Sequence, residues 1–228
     1  VQGENMRAHP AFAAALVLAA ACGQAEDAAI REKEASLRSI SVAPRVAATT
    51  TPRATTLTLT CAPPFTPEAT AGTLAAAFGR ENVIPETIDG PEGEKLNVTA
   101  IYPADPTKRI EVTFTNEEER TGLATVTVKE AASVWTGPGG LKMGDGLDAA
   151  EAANGGAFEV AGFGWDYGGY VVDWKGGRLA EPAPGCHASL RFKRDPGNTD
   201  MSLLGEGGRP SDLPALRAAK PTVTEFGI

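Results

Sequence analysis

The chain has 228 residues, 42% of them hydrophobic, and its formal net charge at pH 7 is −8. This hydrophobic fraction is close to that of an ordinary globular protein, so the length predicts one domain or two small ones with a buried core. From Cys61 onward the chain carries 15 Lys and Arg against 24 Asp and Glu, and no basic stripe occurs. This argues against nucleic acid as a partner, because phosphate binding needs clustered Lys and Arg.

Histidine is scarce, which limits the metal chemistry open to the chain. The two histidines are His9 and His187, and His9 lies in a segment that we expect to be removed. A histidine-rich zinc site and a His-Glu-x-x-His metalloprotease are thereby excluded. We expect neither a metal nor a cofactor.

The N-terminus has the pattern of an export signal. Met6 and Arg7 form a short basic region, and an apolar run follows from Ala11 to Ala21. The run is shorter than the ~20 apolar residues that a membrane-spanning helix needs, so it predicts a signal segment over residues 1–22.

The end of this segment, Leu18-Ala19-Ala20-Ala21-Cys22-Gly23, resembles a bacterial lipobox with Cys22 as the lipidated residue. The departure is Ala19, at a position where leucine is commonest. The resemblance implies a lipid anchor at a membrane surface, and Gly23 after the cysteine implies the periplasmic face of an outer membrane. The alternative is ordinary cleavage after Ala21, which would leave Cys22 free and the protein secreted.

Residues 23–56 are rich in Ala, Thr and charged side chains and poor in large apolar ones. Such a composition does not bury a core, so it predicts a flexible tether. Beyond it lie two further cysteines, Cys61 and Cys186. Disulfides persist in exported proteins, so we expect these two to form one. The alternative is a metal site made of Cys61, Cys186 and His187.

Residues 57–133 predict a first α+β module. Residues 57–60 alternate like a short strand, and Thr66-Pro67-Glu68 combines a capping Thr, a Pro at the first helical position and an acidic first turn. We expect that helix to end at Gly79. Alternating apolar residues then predict strands over residues 95–102, 110–114 and 123–128.

Residues 134–228 repeat this order of elements and predict a second module with a C-terminal extension. Asp145 is a good N-cap for a short helix, and Asn154-Gly155 is a typical left-handed helix end. Further elements are predicted from the residue pattern: strands over 158–163, 170–174 and 186–192, a loop over 194–210, a helix over 211–219 and an edge strand over 223–226. The predicted fold class is α+β, with two tandem modules, each a short helix packed on a small antiparallel sheet.

The densest motif is Gly162-Phe163-Gly164-Trp165-Asp166-Tyr167-Gly168-Gly169, with four glycines, three aromatic residues and one carboxylate. It falls between two predicted strands, so it predicts a hairpin whose glycines take positive φ angles. We expect Asp166 to hydrogen-bond within its own turn. Tyr102-Pro103-Ala104-Asp105-Pro106 occupies the corresponding place in the first module.

The three tryptophans, Trp135, Trp165 and Trp174, lie within 40 residues of one another. Two interpretations stay open at this point. The rings pack together in the core of the second module, or they line an exposed concave sheet face, as aromatic residues do in proteins that bind sugars or other proteins.

Catalytic signatures are weak, and we predict no catalytic residue. The chain has no Gly-x-Ser-x-Gly, and His187 has no local triad signature around it. The glycines at 137–140 lack the Lys-Ser/Thr of a phosphate-binding loop. Asp166 and Asp173 are the alternative, as paired carboxylates for acid–base chemistry.

The blocks around Trp135, Gly140–Gly144, Asn154-Gly155 and Gly162–Gly169 resemble a group of uncharacterised bacterial exported proteins and lipoproteins. The resemblance covers about Cys61 to the end and implies export and the fold, but no reaction. A looser likeness rests on residues 141–155 alone. It is to the helix-plus-sheet modules of the β-lactamase-inhibitor protein and of BamE-type assembly lipoproteins, which can occur in tandem.

These inferences predict a non-enzymatic cell-envelope lipoprotein that acts as a protein-interaction module, inhibitor-like or assembly- and maintenance-like, with an envelope protein as its partner. Its concave sheet face is the expected contact surface. The candidate residues for binding or for structure are Trp135, Phe163, Trp165, Asp166, Tyr167, Gly168, Gly169 and Trp174. The alternative is an envelope glycan-binding or hydrolytic protein that uses Asp166, Asp173 and the tryptophans.

Overall fold

The computed structural model describes residues 57–228. The predicted signal segment over residues 1–22, its lipidation at Cys22 and the predicted tether over residues 23–56 lie outside these described residues. Among the helices of residues 57–228, none is long and apolar enough to cross a membrane.

The described residues have an α+β fold, as predicted, with short helices and two antiparallel sheets. The helices are α1 (Ala71–Phe78), α2 (Leu147–Asn154) and α3 (Pro214–Ala218). The strands are β1 (Val83–Asp89), β2 (Lys95–Ile101), β3 (Ile110–Asn116), β4 (Thr121–Val128), β5 (Glu159–Ala161), β6 (Val171–Asp173), β7 (Ser189–Lys193), β8 (Gly208–Pro210) and β9 (Thr222–Gly227).

The larger sheet has six strands in the order β1-β2-β3-β4-β9-β7, and the smaller has three in the order β6-β5-β8. Strands β7 and β9 follow the predicted module boundary at 133/134, yet β9 pairs with β4, which precedes it. The larger sheet therefore extends across that boundary, and the two sheets do not correspond one to one with the two predicted modules.

Strand β9 lies inside the larger sheet, between β4 and β7, so the prediction of an edge strand over residues 223–226 is wrong. Val223 and Phe226 are both buried, at 2% and 0% exposure. An edge position would leave one row of backbone groups in β9 unpaired. Pairing on both sides satisfies these groups and places Phe226 in the core.

The edge strands of the larger sheet are β7 and β1, and the residue pattern does not predict β1 because Pro85 interrupts it. Hydrogen bonds of 2.8 Å run from Gly90 N to Glu94 O and from Tyr102 N to Asn82 O, one at each end of the β1–β2 pair. Hydrogen-bonded and non-hydrogen-bonded positions alternate along an antiparallel pair. Pro85 therefore falls at a position whose backbone N and C=O point away from β2, toward the free edge. A proline there removes one donor and hinders pairing with another chain.

Helix α1 begins at Ala71, a turn later than the predicted start at Thr66. The N-cap is Thr70, whose Oγ1 accepts from Thr73 N at 3.1 Å, while Thr73 Oγ1 accepts from Thr70 N at 2.9 Å. This reciprocal pair satisfies two backbone donors at the helix start, as in a capping box. The predicted end at Gly79 is confirmed.

Helix α2 also starts one residue later than predicted, after Gly146 instead of Asp145. The Asp145 carboxylate accepts from the backbone N–H of Lys142 at 2.8 Å and so closes the turn before the helix. The end is as predicted: Gly155 takes the left-handed conformation, with φ 87° and ψ 17°.

The core lies on one face of the larger sheet, where the helices and the smaller sheet pack. Phe158, just before β5, stacks on Phe192 of β7 with ring centroids 5.9 Å apart, and both rings are fully buried. This contact joins the two sheets. Alternate residues of the same strands, such as Thr113 of β3 and Thr125 of β4, project from the opposite face, called the outer face below.

The N-terminal part of the described chain is tied to the rest at two places. Leu59 is fully buried, and its N–H donates to Thr136 O at 2.8 Å. Cys61 and Cys186 lie at disulfide-bonding distance with their Cα atoms 6.1 Å apart, which agrees with the predicted pair.

Candidate functional site

The glycines of the 162–169 motif are required by its backbone. Gly164 and Gly169 have φ angles of 89° and 84°, so the predicted positive φ is confirmed at these two positions. A Cβ atom at Gly162 would lie 2.2 Å from Gly205 O, and one at Gly169 would lie 2.0 Å from Phe192 O. The motif therefore packs backbone against backbone, which larger residues would prevent.

The motif forms a hairpin, as predicted, and this hairpin covers part of the free edge of β7. Phe192 N donates to Gly169 O at 2.8 Å. The Arg191 guanidinium donates to Gly168 O at 3.0 Å and to Asp166 O at 2.6 Å. These bonds hold Trp165, Asp166 and Tyr167 beside the outer face of the larger sheet.

The expectation that Asp166 hydrogen-bonds within its own turn is wrong. Its carboxylate accepts from the backbone N–H of Glu92 at 3.2 Å, and backbone groups close the turn, Gly168 N donating to Trp165 O at 3.0 Å. Asp105, the counterpart in the first predicted module, does bond within its turn, accepting from Thr107 N at 3.0 Å. The two aspartates therefore have different roles, although each follows an aromatic residue.

The contact of Asp166 with Glu92 shows that the larger sheet is curled. Glu92 lies in the turn between β1 and β2, at one end of the strand order, and Arg191 lies on β7 at the other end. Asp166 meets both, through its carboxylate and its carbonyl oxygen respectively. The outer face between these two edges is therefore concave.

This concave face contains a cleft of about 540 Å³, called the sheet cleft below. Every strand of the larger sheet contributes to its lining, and the hairpin closes one side. The lining includes Leu96, Val98, Glu111, Thr113, Thr125, Thr127, Trp165, Asp166, Tyr170, Arg191 and Glu225. The cleft thus combines hydroxyl groups, charges, aliphatic side chains and aromatic rings.

Its exposed apolar side chains lie toward β2 and the hairpin. Leu96 is 37% exposed and Trp165 is 36% exposed. Tyr167, at the hairpin tip, packs edge-on against Trp165 with ring centroids 5.4 Å apart. The indole N–H of Trp165 donates to Gly162 O at 2.9 Å, so the ring is held in place while its surface stays accessible.

Tyr170, Glu225 and Arg191 form a polar cluster in the same cleft. The Tyr170 hydroxyl donates to Glu225 Oε1 at 2.7 Å, and the Arg191 guanidinium lies 4.7 Å from the centroid of the Tyr170 ring. Burial, and next the hydrogen bond to Glu225, hold the pKa of Tyr170 well above its ordinary value. The phenol therefore stays protonated and remains a donor to the carboxylate.

Toward β3, the charges of the outer face are paired with each other. Glu111 accepts from Arg109 at 3.3 Å and from Lys129 at 2.7 Å, and Arg109 also contacts Glu86 at 2.7 Å. The hydrogen bond to Glu86 is the main cause that raises the pKa of Arg109. In contrast, no Lys, Arg or His among residues 57–228 lies within 4.0 Å of the carboxylates of Asp166 or Glu225.

The three tryptophans lie in three different environments. Trp135 is 2% exposed and packs against Phe65 and Phe78, and Trp174 is 9% exposed and packs against Phe158. These two belong to the core, whereas Trp165 lies on the outer face. The three rings do not pack on one another, since the buried Trp135 contacts Phe65 and Phe78 of the first predicted module, and only Trp165 fits the interpretation of an exposed face. Phe163, a fourth ring among the candidate residues, is also buried, at 6% exposure.

The alternative pair of carboxylates does not share a partner. Asp173 is bound to Lys175, with Oδ2 2.9 Å from Nζ, and this contact lowers the pKa of Asp173. Asp166 instead contacts Glu92. His187 is bonded through Nδ1 to Ala180 O at 2.8 Å.

Within the described part of the chain, no group of three or more His, Cys, Asp and Glu side chains is placed to hold a metal ion. The sulfur atoms of Cys61 and Cys186 are at bonding distance from each other. The alternative metal site with His187 therefore lacks two thiolate ligands, because a disulfide has no thiolate.

Arg191, Tyr170 and Glu225 are not among the predicted site residues. The alternation of β7 contained a signal for Arg191, since it separates the buried Leu190 and Phe192 and must point to the opposite face. Glu225 had no such signal, because its place beside Arg191 depends on β9 entering the larger sheet.

No protein-family model, curated protein or solved structure matches the chain. The resemblance to uncharacterised exported proteins therefore stays a prediction.

Proposed function

We propose that this protein is a protein-interaction module of the bacterial cell envelope and that the sheet cleft is its contact surface. The observation that carries the proposal is the cleft of the concave outer face, which is lined by exposed Leu96 and Trp165, with the exposed ring of Tyr167 packed against Trp165. In this proposal the chain is exported, anchored through a lipid on Cys22 and free of catalytic activity.

The composition of the sheet cleft and the fixed position of Trp165 support this function. Protein interfaces concentrate their binding energy in a few large, partly apolar side chains surrounded by polar groups, and the sheet cleft has this composition. The glycine backbone contacts and the indole hydrogen bond hold Trp165 in one position before any partner arrives. Such preorganisation lowers the entropy that binding would otherwise lose.

The test is affinity capture from envelope extracts with the full chain as bait, comparing the wild type with Trp165→Ala. We expect one stoichiometric protein with the wild type and loss of most of it with the variant, since truncating an interface tryptophan typically costs ~2 kcal/mol or more.

The control is Val172→Ala, which truncates a 56% exposed side chain on β6, in the smaller sheet and outside the cleft. Capture that is equal for wild type and Trp165→Ala would contradict the proposal, and so would equal losses for the two variants.

A second candidate function is glycan binding, which the exposed pair of Trp165 and Tyr167 favours because sugars stack on aromatic rings. Asp166, between the two rings in the chain, would then accept sugar hydroxyls. Retention of the wild type on purified peptidoglycan, with release by Trp165→Ala and weakening by Asp166→Asn, would select this function over protein binding.

A further inference from the structure

We infer that the partner presents a cationic, extended segment to the sheet cleft, with a Lys or Arg side chain lying between Asp166 and Glu225 and against the ring of Trp165. This inference rests on the proposed function and specifies the chemistry of the partner. It is carried by the charges of the cleft, by its aromatic wall and by the strands that line it.

The two parts of the outer face differ in whether their carboxylates have cationic partners. Glu86 and Glu111 already have Arg109 and Lys129 as partners at 2.7–3.3 Å. Asp166 accepts one backbone N–H and Glu225 accepts one phenol, but no cation of residues 57–228 pairs with either carboxylate. Both carboxylates line the sheet cleft and also the neighbouring cleft under the hairpin, together with Trp165 and Arg191.

Arg191 does not neutralise these carboxylates in the way that an ion pair would. Its Nε and Nη2 donate to the backbone oxygens of Gly168 and Asp166, and its central carbon lies 4.7 Å from the centroid of the Tyr170 ring. The hydrogen bonds of this guanidinium thus go to the hairpin backbone and not to either carboxylate. A second cation, supplied by a partner, would complete the charge balance of the site.

The exposed ring of Trp165 also favours a Lys or Arg side chain as the ligand. Cations bind favourably over the face of a tryptophan, and Arg191 over Tyr170 at 4.7 Å already shows this contact within the protein. Trp165 is the exposed ring beside Asp166, so a Lys or Arg side chain can contact ring and carboxylate together. The net charge of −9 from Cys61 onward also attracts a cationic partner at long range.

The geometry of the sheet favours an extended segment over the face rather than an added strand. Both ends of the strand order meet at Asp166, so the outer face forms a cleft and not a flat surface six strands wide. At one edge Pro85 lacks an N–H, and at the other the hairpin already occupies β7 through Gly169. Both edges are thus partly blocked to an added strand, which favours recognition by side chains on the outer face.

The experiment uses three fluorescein-labelled nine-residue peptides of Leu and Arg, Leu and citrulline, and Leu and Glu, with the full chain. Citrulline keeps the shape of Arg without its charge. We expect the Arg peptide to bind, as measured by anisotropy and by quenching of tryptophan fluorescence, and the other two to bind at least about tenfold more weakly.

The deciding variant is Asp166→Asn/Glu225→Gln, which retains a hydrogen-bond acceptor at each position but removes two charges. Its control is Glu206→Gln/Asp212→Asn, which removes two exposed charges that do not line the cleft. We expect the first double variant to bind the Arg peptide about tenfold more weakly than the control does. Equal affinity of the two variants would overturn the inference, because the binding would then reflect net charge alone.

Failure of this inference can be told apart from failure of the proposed function. If the Arg peptide does not bind while Trp165→Ala still abolishes capture of an envelope protein, the cleft binds a partner of other chemistry and the inference is wrong. If the Arg peptide binds as expected while Trp165→Ala leaves capture unchanged, the cationic site exists but the captured protein uses another surface.

Discussion

Single residues in the 162–169 hairpin shape the outer face, and two of them are glycines that are needed because they have no side chain. Gly162 and Gly169 have no Cβ where a carbonyl oxygen lies 2.2 Å and 2.0 Å from its ideal position. Trp165 and Asp166 can then project from a backbone that is packed directly against its neighbours. The carboxylate of Asp166 extends this rigidity to the β1–β2 turn.

Gly169→Ala tests how far the free energy of unfolding depends on the close approach of Gly169 to Phe192 O. Alanine there is strained at φ 84° and also places its Cβ against Phe192 O. The matched control is Gly140→Ala, at φ 81° with nothing within 4 Å of the added atom. We expect ~1–2 kcal/mol of destabilisation for the control and at least ~2 kcal/mol more for Gly169→Ala, by chemical denaturation. Equal losses would mean that the backbone relaxes at no cost.

Tyr170 gives a pH-dependent prediction. Its raised pKa means that the folded state holds the phenol proton more tightly than the unfolded chain, whose tyrosines titrate near ~10. The stabilising contribution is therefore complete below that pH and is lost as the pH rises above it. In a titration followed at ~295 nm, Tyr170→Phe should remove the phenolate that forms at the highest pH, whereas Tyr167→Phe should leave that step in place.

At the scale of elements, local chemistry sets where the helices end but not always where they begin. Gly79 and Gly155 end α1 and α2 as their sequence positions predict. The start of α1 is different, because Thr66 and Thr70 are both acceptable caps and only Thr70 has a partner, Thr73, for the reciprocal hydrogen bonds.

Two substitutions distinguish these possible starts of α1. Thr70→Ala should destabilise the fold by about 1 kcal/mol, because the Thr73 N–H loses its acceptor. Thr66→Ala should change the free energy of unfolding by less than ~0.5 kcal/mol. Thermal unfolding measured by circular dichroism would show the difference, and the reverse order would place the cap at Thr66.

At the scale of the whole molecule, the larger sheet depends on strands that are far apart in the chain. Strand β9 supplies the link between β4 and β7. Cys61 and Cys186 connect the N-terminal part of the described chain to the loop before β7 across 125 residues. Long-range pairing of this kind carries a large entropy cost of loop closure, which a covalent link reduces.

Replacing both cysteines, as Cys61→Ser/Cys186→Ser, should therefore lower the free energy of unfolding substantially. The chain-entropy estimate for a closed loop of this length is ~4–5 kcal/mol. Equilibrium denaturation of the wild type with and without reductant is the parallel measurement. Two free thiols in the unreduced wild type, found by mass spectrometry, would contradict the disulfide itself.

The α+β class, the cysteine pair, the hairpin and the ends of both longer helices could be predicted from the residue pattern. These features depend on neighbouring residues or on pattern: alternation in β3, glycine at positive φ, and Gly155 as a left-handed helix end. Strand β1 was not predicted because it contains Pro85, and proline is rare in strands except at an edge. Only the fold shows that β1 lies at an edge.

Which residues share the sheet cleft could not be predicted without the fold. Arg191, Glu225 and Asp166 lie on separate segments, and Glu92 is 74 residues from the carboxylate that it contacts. Their meeting depends on the insertion of β9 and on the curl of the sheet. The position of β9 buries Phe226 and pairs backbone groups of strands that are far apart in the chain, and no local sequence pattern shows this.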